Sequence, residues 1–217
     1  GLQGAYPTHP ELLDWLATEY PRIGWDTKQM LKLMVMSQTY QQSSRVRPEI
    51  HARDPNNKWL SRMSRIRLPA EMIRDQALFA SGLLVQQIGG ASVKPYQPEG
   101  LWKELSFQDK KRSTDFYVRG EGNDLYRRSL YTFWKRSVPP PAMATFDAPS
   151  REICTLARSR TNTPLQALAL MNDTTYVEAS RALAQRTIFN SRDATGRIQF
   201  VFHSLLGRDP DAQELGV

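Results

Sequence analysis

Helix start signals recur along this chain, and they constrain its fold more than any other feature of the sequence. At the clearest one, Thr163 suits the N-cap, Pro164 suits the first helical position and Gln166 stands at capping-box spacing. The same spacing occurs at residues 8–11 and 26–29. Repeated capped starts predict a mainly α fold, an irregular bundle of roughly seven to nine helices.

Apolar residues at helical spacing predict how far these helices run. The pattern favours helices over residues 26–44 and 57–68, and a further helix from Pro69 that ends near Gly89 and Gly90. One continuous helix is predicted from Pro164 past Asn172 and Asp173 to about residue 179. Another is predicted over 198–206, with Gly207 ending it.

Residues 91–125 interrupt the helical pattern. They are rich in proline, glycine and charge, and they predict one long ordered insertion in a single helical domain that spans 1–217. The chain begins without Met and stops where a helix signal starts. We therefore expect it to be a fragment of a longer chain.

Composition narrows the classes of function. The formal net charge of +7 permits binding to an anionic polymer, but the basic residues are spread along the chain. Cys154 is the only cysteine, so no intrachain disulfide and no Cys-x-x-Cys pair exists. The three histidines lie far apart, and apolar runs are only a few residues long. The sequence predicts no metal site, no cofactor in this domain and no membrane span.

Polar and charged residues gather among apolar ones between residues 146 and 173, and they form the first candidate site. The candidates are Asp147, Arg151, Glu152, Arg158, Arg160, Asn162, Asn172 and Asp173. Asp147 with Glu152, or Asp147 with Asp173, could form the carboxylate pair that general acid–base catalysis needs. Arginines beside a carboxylate lower its pKa, which suits a structural ion pair better. The sequence favours an ion-pair network that locks helices together, and catalytic residues stay unknown.

Asn172 and Asp173 are poor helix formers, and the pattern places both in mid-helix. Their cost needs compensation. A hydrogen bond to the arginine-rich segment before Thr163 would supply it.

A stretch that combines cations and aromatic rings forms the second candidate. It contains Tyr126, Arg127, Arg128, Tyr131, Phe133, Trp134, Lys135 and Arg136. Such a surface suits sugar rings or single-stranded nucleic acid. The alternative is a buried element whose rings lie in the core and whose arginines pair with carboxylates. The periodicity fits a helix or a strand equally well.

Six segments in order carry a family resemblance that spans nearly the whole chain. They are YPTHPELLDWLA, MSQTYQQSSR, DPNNKWLSRMSRIRLPAEMIRD, SVKPYQPEGLW, LYRRSLYTFWKRSVPPPAMATFDAPSRE and RTNTPLQALALMND. Together they resemble a planctomycete-specific domain of unknown function. That domain is typically C-terminal in large planctomycetal proteins that carry a c-type-cytochrome-like domain. The resemblance implies an exported or envelope-associated parent protein; the haem attachment motif itself is absent here.

These observations lead to hypotheses of different classes. The first is a non-catalytic interaction or scaffold module that docks on sister domains of the parent chain, with a basic face for an anionic polymer. The alternative is a catalytic module that acts with the cytochrome-like domain on an envelope or polysaccharide substrate. Nucleic-acid binding is the weakest hypothesis. Whether the chain is an enzyme stays open at this point.

Overall fold

The computed structural model describes residues 4, 6–104 and 116–216. Within these ranges the fold is mainly α, which confirms the predicted fold class. The helices are α1 (Pro10–Arg22), α2 (Thr27–Val35), α3 (Pro48–Arg53), α4 (Ala70–Ser81), α5 (Leu101–Glu104), α6 (Pro141–Thr145), α7 (Pro164–Asn172), α8 (Thr174–Asn190), α9 (Ala194–Leu206) and α10 (Ala212–Leu215). No strand occurs in the same ranges, only isolated β-bridges.

The chain divides into two compact units, Gly1–Ile66 and Arg67–Val217. The first unit contains α1 to α3. Asp26 caps α2 as predicted, because its side chain accepts from the backbone N–H of Gln29 at 3.0 Å. The predicted cap at Thr8 is wrong: His9 is the N-cap of α1 and makes no side-chain cap bond. Met30 is the only buried hydrophobic residue among those described in this unit.

The predicted helix over residues 57–68 is wrong. Asp54 accepts from the backbone N–H groups of Lys58 and Trp59, each at 2.8 Å. Asn57 and Leu60 have φ of 51° and 53°, which a right-handed helix does not allow. A side chain of the preceding helix end therefore takes the donors that a new helix would need, and the backbone turns instead.

The predicted extent of α2 is also wrong, since the helix ends at Val35 and not near residue 44. The side chain of Ser37 donates to the carbonyl of Met34 at 2.7 Å, and Gln41 Nε2 donates to the carbonyl of Val35 at 3.2 Å. These side chains satisfy two of the last carbonyls of the helix, which compensates for the lost helical hydrogen bonds there.

In the second unit, α4 packs against α8 and also contacts α6 and α9. Ala70, Met143, Phe146 and Tyr176 form a buried cluster, and Leu78 is fully buried. Pro69 is the N-cap of α4, so the predicted start is close. The predicted end at Gly89 and Gly90 is wrong.

The end of α4 lies at Ser81, followed by Gly82 in the left-handed region at φ 79°. Beyond it, the backbone N–H of Val85 donates to the carbonyl of Tyr126 at 3.0 Å. A glycine suits this turn because it has no Cβ to clash at positive φ. The chain can therefore leave α4 and pair with a distant segment.

Arg74 of α4 is 5% exposed and holds a stretch of irregular backbone. Its guanidinium donates to the carbonyls of Leu125 at 2.7 Å and Arg127 at 2.9 Å. The neighbouring Asp75 accepts from the backbone N–H of Ser129 at 2.7 Å. The stretch contains two short 3₁₀ helices, Gly122–Tyr126 and Ser129–Tyr131. Two adjacent side chains of α4 therefore hydrogen-bond backbone groups of this irregular stretch.

Helices α7 and α8 meet at one shared residue. Asp173 is the C-cap of α7 and the N-cap of α8, and its Oδ1 accepts from Thr175 N at 2.9 Å. The single continuous helix predicted from Pro164 is therefore two helices. The predicted start is confirmed: Thr163 is the N-cap, and Gln166 Oε1 accepts from Thr163 N at 3.4 Å.

The predicted insertion at 91–125 lies partly outside the described residues, which omit 105–115. In the flanking part, Trp102 of α5 is buried, and its ring meets Tyr117 at a centroid distance of 5.1 Å. Further along, Gly207 ends α9 as predicted, while Asp193 starts it a turn earlier than predicted.

Candidate functional site: a cationic cavity

The second unit contains a cavity of about 570 Å³ at the start of α4. Its lining combines ion-pairing side chains with apolar ones: Arg67, Leu68, Pro69, Phe146, Asp147, Leu156, Ala157, Arg158, Ser159 and Arg160. Three arginines face one carboxylate across this lining. We call it the cationic cavity.

Asp147 is fixed by its hydrogen bonds. It accepts from Arg67 Nη2, from the backbone N–H of Thr161 at 2.7 Å and from the Thr161 hydroxyl at 2.9 Å. The backbone hydrogen bond from Thr161, supported by the Thr161 hydroxyl and by Arg67, lowers the pKa of Asp147 although burial opposes it. The group therefore stays charged and is a poor proton donor.

Arg67 is the partner of Asp147 and comes from 80 positions earlier in the chain. Its side chain is 22% exposed, and its guanidinium lies 5.9 Å from the centroid of the Phe146 ring. Nε and Nη1 of this guanidinium are buried and have no hydrogen-bond partner among the described residues. Arg67 therefore has hydrogen-bonding capacity that Asp147 does not use.

The other two arginines differ in how they are paired. Arg158 Nη1 donates to Glu71 of α4 at 2.6 Å. Burial is the largest single influence and raises the pKa of Glu71. The hydrogen bond from Arg158, a backbone hydrogen bond and the charges of Arg158 and Arg151 together outweigh it, so the pKa is lowered. The side chain of Arg160 is exposed and has no hydrogen bond or ion pair within the described part of the chain. Arg160 is the unpaired cation of the cavity.

Of the predicted polar residues, the structure brings Asp147, Arg158 and Arg160 together. Arg151 instead stacks on Trp134, with its guanidinium carbon 4.2 Å from the ring centroid. Glu152 and Asn162 are exposed and do not line the cavity.

Asn172 and Asp173 also lie away from the cavity. Asn172 Nδ2 donates to the carbonyl of Leu168 at 2.9 Å, and Asp173 caps α8. The predicted hydrogen bond to the arginine-rich segment is not among their contacts. Their compensation is local, because a helix boundary favours the residue types that a helix interior disfavours.

Sequence reasoning missed Arg67 and Glu71, the ion-pair partners of Asp147 and Arg158. Both lie near the start of α4, far from the 146–173 segment. Their place next to Pro69 predicted a helix start but carried no signal of an ion pair.

The basic-aromatic residues do not share one exposed face. Arg127 is 3% exposed, donates to the carbonyls of Gln87, Gly89 and Ala91, and lies 3.9 Å from the Tyr131 ring centroid. The Tyr126 hydroxyl donates to Glu178 at 2.8 Å, and Arg128 Nε lies 3.7 Å from Asp75 Oδ2. Lys135 Nζ lies 4.5 Å from the Trp102 ring centroid, and Arg136 is exposed. Burial and the hydrogen bond to Glu178 raise the pKa of Tyr126.

The first unit has a cavity of a different character, about 640 Å³ and mostly apolar. Trp15 of α1, Met34 of α2 and Trp59 lie in its wall. No group of three or more histidine, cysteine, aspartate or glutamate side chains that could hold a metal occurs in residues 6–104 and 116–216. No helix in the same ranges is long and apolar enough to cross a membrane.

The fold and the site define a mainly α domain with a cationic cavity. A family described as "Protein of unknown function (DUF1553)" matches residues 1–217, so the chain belongs to this family. No curated protein and no solved structure matches the chain.

Proposed function

We propose that the domain is a non-catalytic interaction module that docks on sister domains of a larger exported or envelope-associated planctomycetal protein. The observation that carries this proposal is the exposure of apolar side chains in the segment between α6 and α7. Ile153 is 78% exposed and Leu156 is fully exposed. Contiguous exposed apolar patches mark surfaces that a partner covers, and we propose that Ile153 and Leu156 belong to such a patch.

The chemistry of the cavity supports a binding role over a catalytic one. General acid–base catalysis needs a group that exchanges a proton near the working pH. Asp147 is the one carboxylate in the lining, and its hydrogen bonds keep it charged. Its oxygens already accept from Arg67 and Thr161. No cofactor is part of this proposal.

The alternative is a catalytic module that acts with the cytochrome-like domain on an envelope or polysaccharide substrate. One observation favours it: the volume of the cationic cavity falls within the range of small-molecule sites. A reactive group would then have to come from another domain.

Binding between this chain and the separately produced remainder of its parent protein tests the proposal. We expect saturable association, measured by calorimetry, that Ile153→Asp weakens by about tenfold or more, because an apolar contact is replaced by a buried charge. Ile88→Asp is the matched control, since Ile88 is 89% exposed and lies outside the segment. Absence of association, or equal weakening by both variants, would contradict the proposal.

A further inference from the structure

We propose that the cationic cavity is a binding site for an oxyanion, a carboxylate, sulfate or phosphate group carried by a molecule about the size of a sugar ring. This goes beyond the proposed docking role, which concerns the exposed apolar residues of the segment. The inference rests on charge, on unused hydrogen-bond donors and on the shape of the lining.

The charge balance of the lining is positive. Arg67, Arg158 and Arg160 face a single carboxylate, Asp147. Glu71 lies outside the lining and neutralises Arg158 in part. The three arginines and the two carboxylates together carry one surplus positive charge. Arg160 is the one of these groups that has no counter-ion among the described residues. A cleft lined by an excess of one sign of charge raises the local concentration of ions of the opposite sign, here anions.

Hydrogen-bond donors of Arg67 that have no partner also support an oxyanion site. Nε and Nη1 of Arg67 are buried without partners, a situation that proteins seldom tolerate. A guanidinium presents its donors in a planar fork that matches the oxygens of a carboxylate, sulfate or phosphate. Arg67 lines the cavity, and a turn of its guanidinium that keeps Nη2 on Asp147 would present the other donors to a bound oxyanion.

The remaining lining favours an oxyanion with an organic carrier over a bare ion. Leu68, Pro69 and Ala157 add apolar carbon to the lining, and the fully exposed Leu156 borders it. The volume of about 570 Å³ exceeds what one sulfate needs and accommodates a molecule of one or two rings. An acidic sugar fits this combination, because it joins a carboxylate or sulfate to the weakly polar face of a ring.

Titration of the full chain with sodium sulfate, sodium acetate, sodium glucuronate and neutral glucose tests this inference. Sodium chloride holds the ionic strength constant, so that non-specific screening does not vary. We expect saturable binding of one sulfate or glucuronate per chain, followed by NMR or calorimetry, and none of glucose. Binding of glucuronate more tightly than acetate would support an acidic sugar, and binding of sulfate alone would support a tetrahedral oxyanion.

Arg160→Gln and Arg192→Gln form a matched pair, because each removes one exposed arginine and Arg192 lies far along the chain, before α9. We expect Arg160→Gln to weaken sulfate binding by about tenfold or more and Arg192→Gln to leave it unchanged. Arg160 has no hydrogen bond in the described structure, so its loss should not alter the melting temperature without anion. Failure of sulfate, acetate and glucuronate alike to bind, or equal weakening by both variants, would overturn the inference.

The docking proposal and the oxyanion site can fail separately. Ile153→Ser, which adds no charge, should keep wild-type sulfate binding, because Ile153 does not line the cavity. Absence of docking by the wild-type chain, with its sulfate binding intact, would contradict only the interaction role. Intact docking of wild-type protein that binds no anion would contradict only the oxyanion site.

Discussion

Asp147 combines an unfavourable backbone with three favourable contacts. Its φ is 61°, a region that residues other than glycine, asparagine and aspartate seldom occupy. The carboxylate joins Thr161 on one side and Arg67 on the other. The contacts of the side chain therefore outweigh the strain of the backbone and hold the segment between α6 and α7 near α4.

Asp147→Ala should lower the melting temperature, because it removes the partner of a largely buried arginine and keeps the strained φ. Asp147→Asn should lower it less, since asparagine tolerates positive φ and still accepts from Thr161. Glu152→Ala is the control: Glu152 is an exposed carboxylate of the same segment. Thermal melts at neutral pH check this order, and an equal effect of Glu152→Ala would contradict it.

The same residue predicts a pH dependence. The folded pKa of Asp147 lies below the ordinary value of 3.8. A lowered folded pKa means that the group stabilises the fold above its unfolded pKa and loses this contribution as the pH falls through the folded pKa. The difference in melting temperature between wild type and Asp147→Ala should be full at neutral pH and shrink below about 3.8. A constant difference down to pH 2 would contradict this assignment.

The sequence predicted which residues of the 146–173 segment form ion pairs better than it predicted their ion-pair partners. Arginines and carboxylates between 146 and 173 indicated ion pairs, and Asp147 and Arg158 do form them. The partners Arg67 and Glu71 belong to another part of the chain, and only tertiary packing brings them close. Nothing in the local spacing of the segment contains that information.

At the scale of elements, the junction of α7 and α8 shows why one polar side chain can end a helix. Asp173 caps α8 through Thr175 N, while Asn172 bonds back within α7. Asp173→Ala should therefore destabilise the domain by about 1 kcal/mol, the usual cost of losing an N-cap. Asn172→Ala should be close to neutral, because alanine is the better helix former. Denaturant unfolding measures both, and equal costs would contradict the capping role.

Helix starts were easier to predict than helix ends. Thr163 and Asp26 carry their capping signal in their own side chains and in the residue three positions later. The end of α4 has a local signal in Gly82, and the following residues stay out of the helix because Val85 pairs with Tyr126 some 40 residues away. The glycine pair at 89–90 is a good local stop signal, but tertiary pairing takes the chain out of the helix at Gly82.

At the scale of the molecule, the two units differ in how much apolar surface they bury. The second has a packed cluster around Phe146 and a fully buried Leu78. The first buries Met30 and leaves Trp15 46% and Trp25 65% exposed. A unit of 66 residues with so small a core lacks the apolar burial that offsets chain entropy. That the chain acts as one domain over 1–217 stays a prediction.

Separate production of residues 1–66 and 67–217 tests this difference. We expect 67–217 to melt in a cooperative transition close to that of the whole chain. Residues 1–66 alone should show helical signal without a cooperative transition. Calorimetry together with circular dichroism measures both properties. A sharp calorimetric peak from 1–66 alone would contradict the expectation.

The hydrogen bonds of Arg74 also bear on the order in which the second unit assembles. The backbone around Leu125 and Arg127 has only a short 3₁₀ helix and one β-bridge, and its carbonyls accept hydrogen bonds from Arg74 of α4. Residues about 50 positions apart lose chain entropy when they come together, and this loss precedes any stabilisation by their hydrogen bonds. We therefore expect such contacts to form late. Accordingly, we expect α4 to form before this stretch becomes ordered, and α4 also precedes the stretch in the chain, so it is synthesised first. We expect the stretch around Leu125 and Arg127 to become ordered late in folding, by hydrogen bonding to a helix that has already formed.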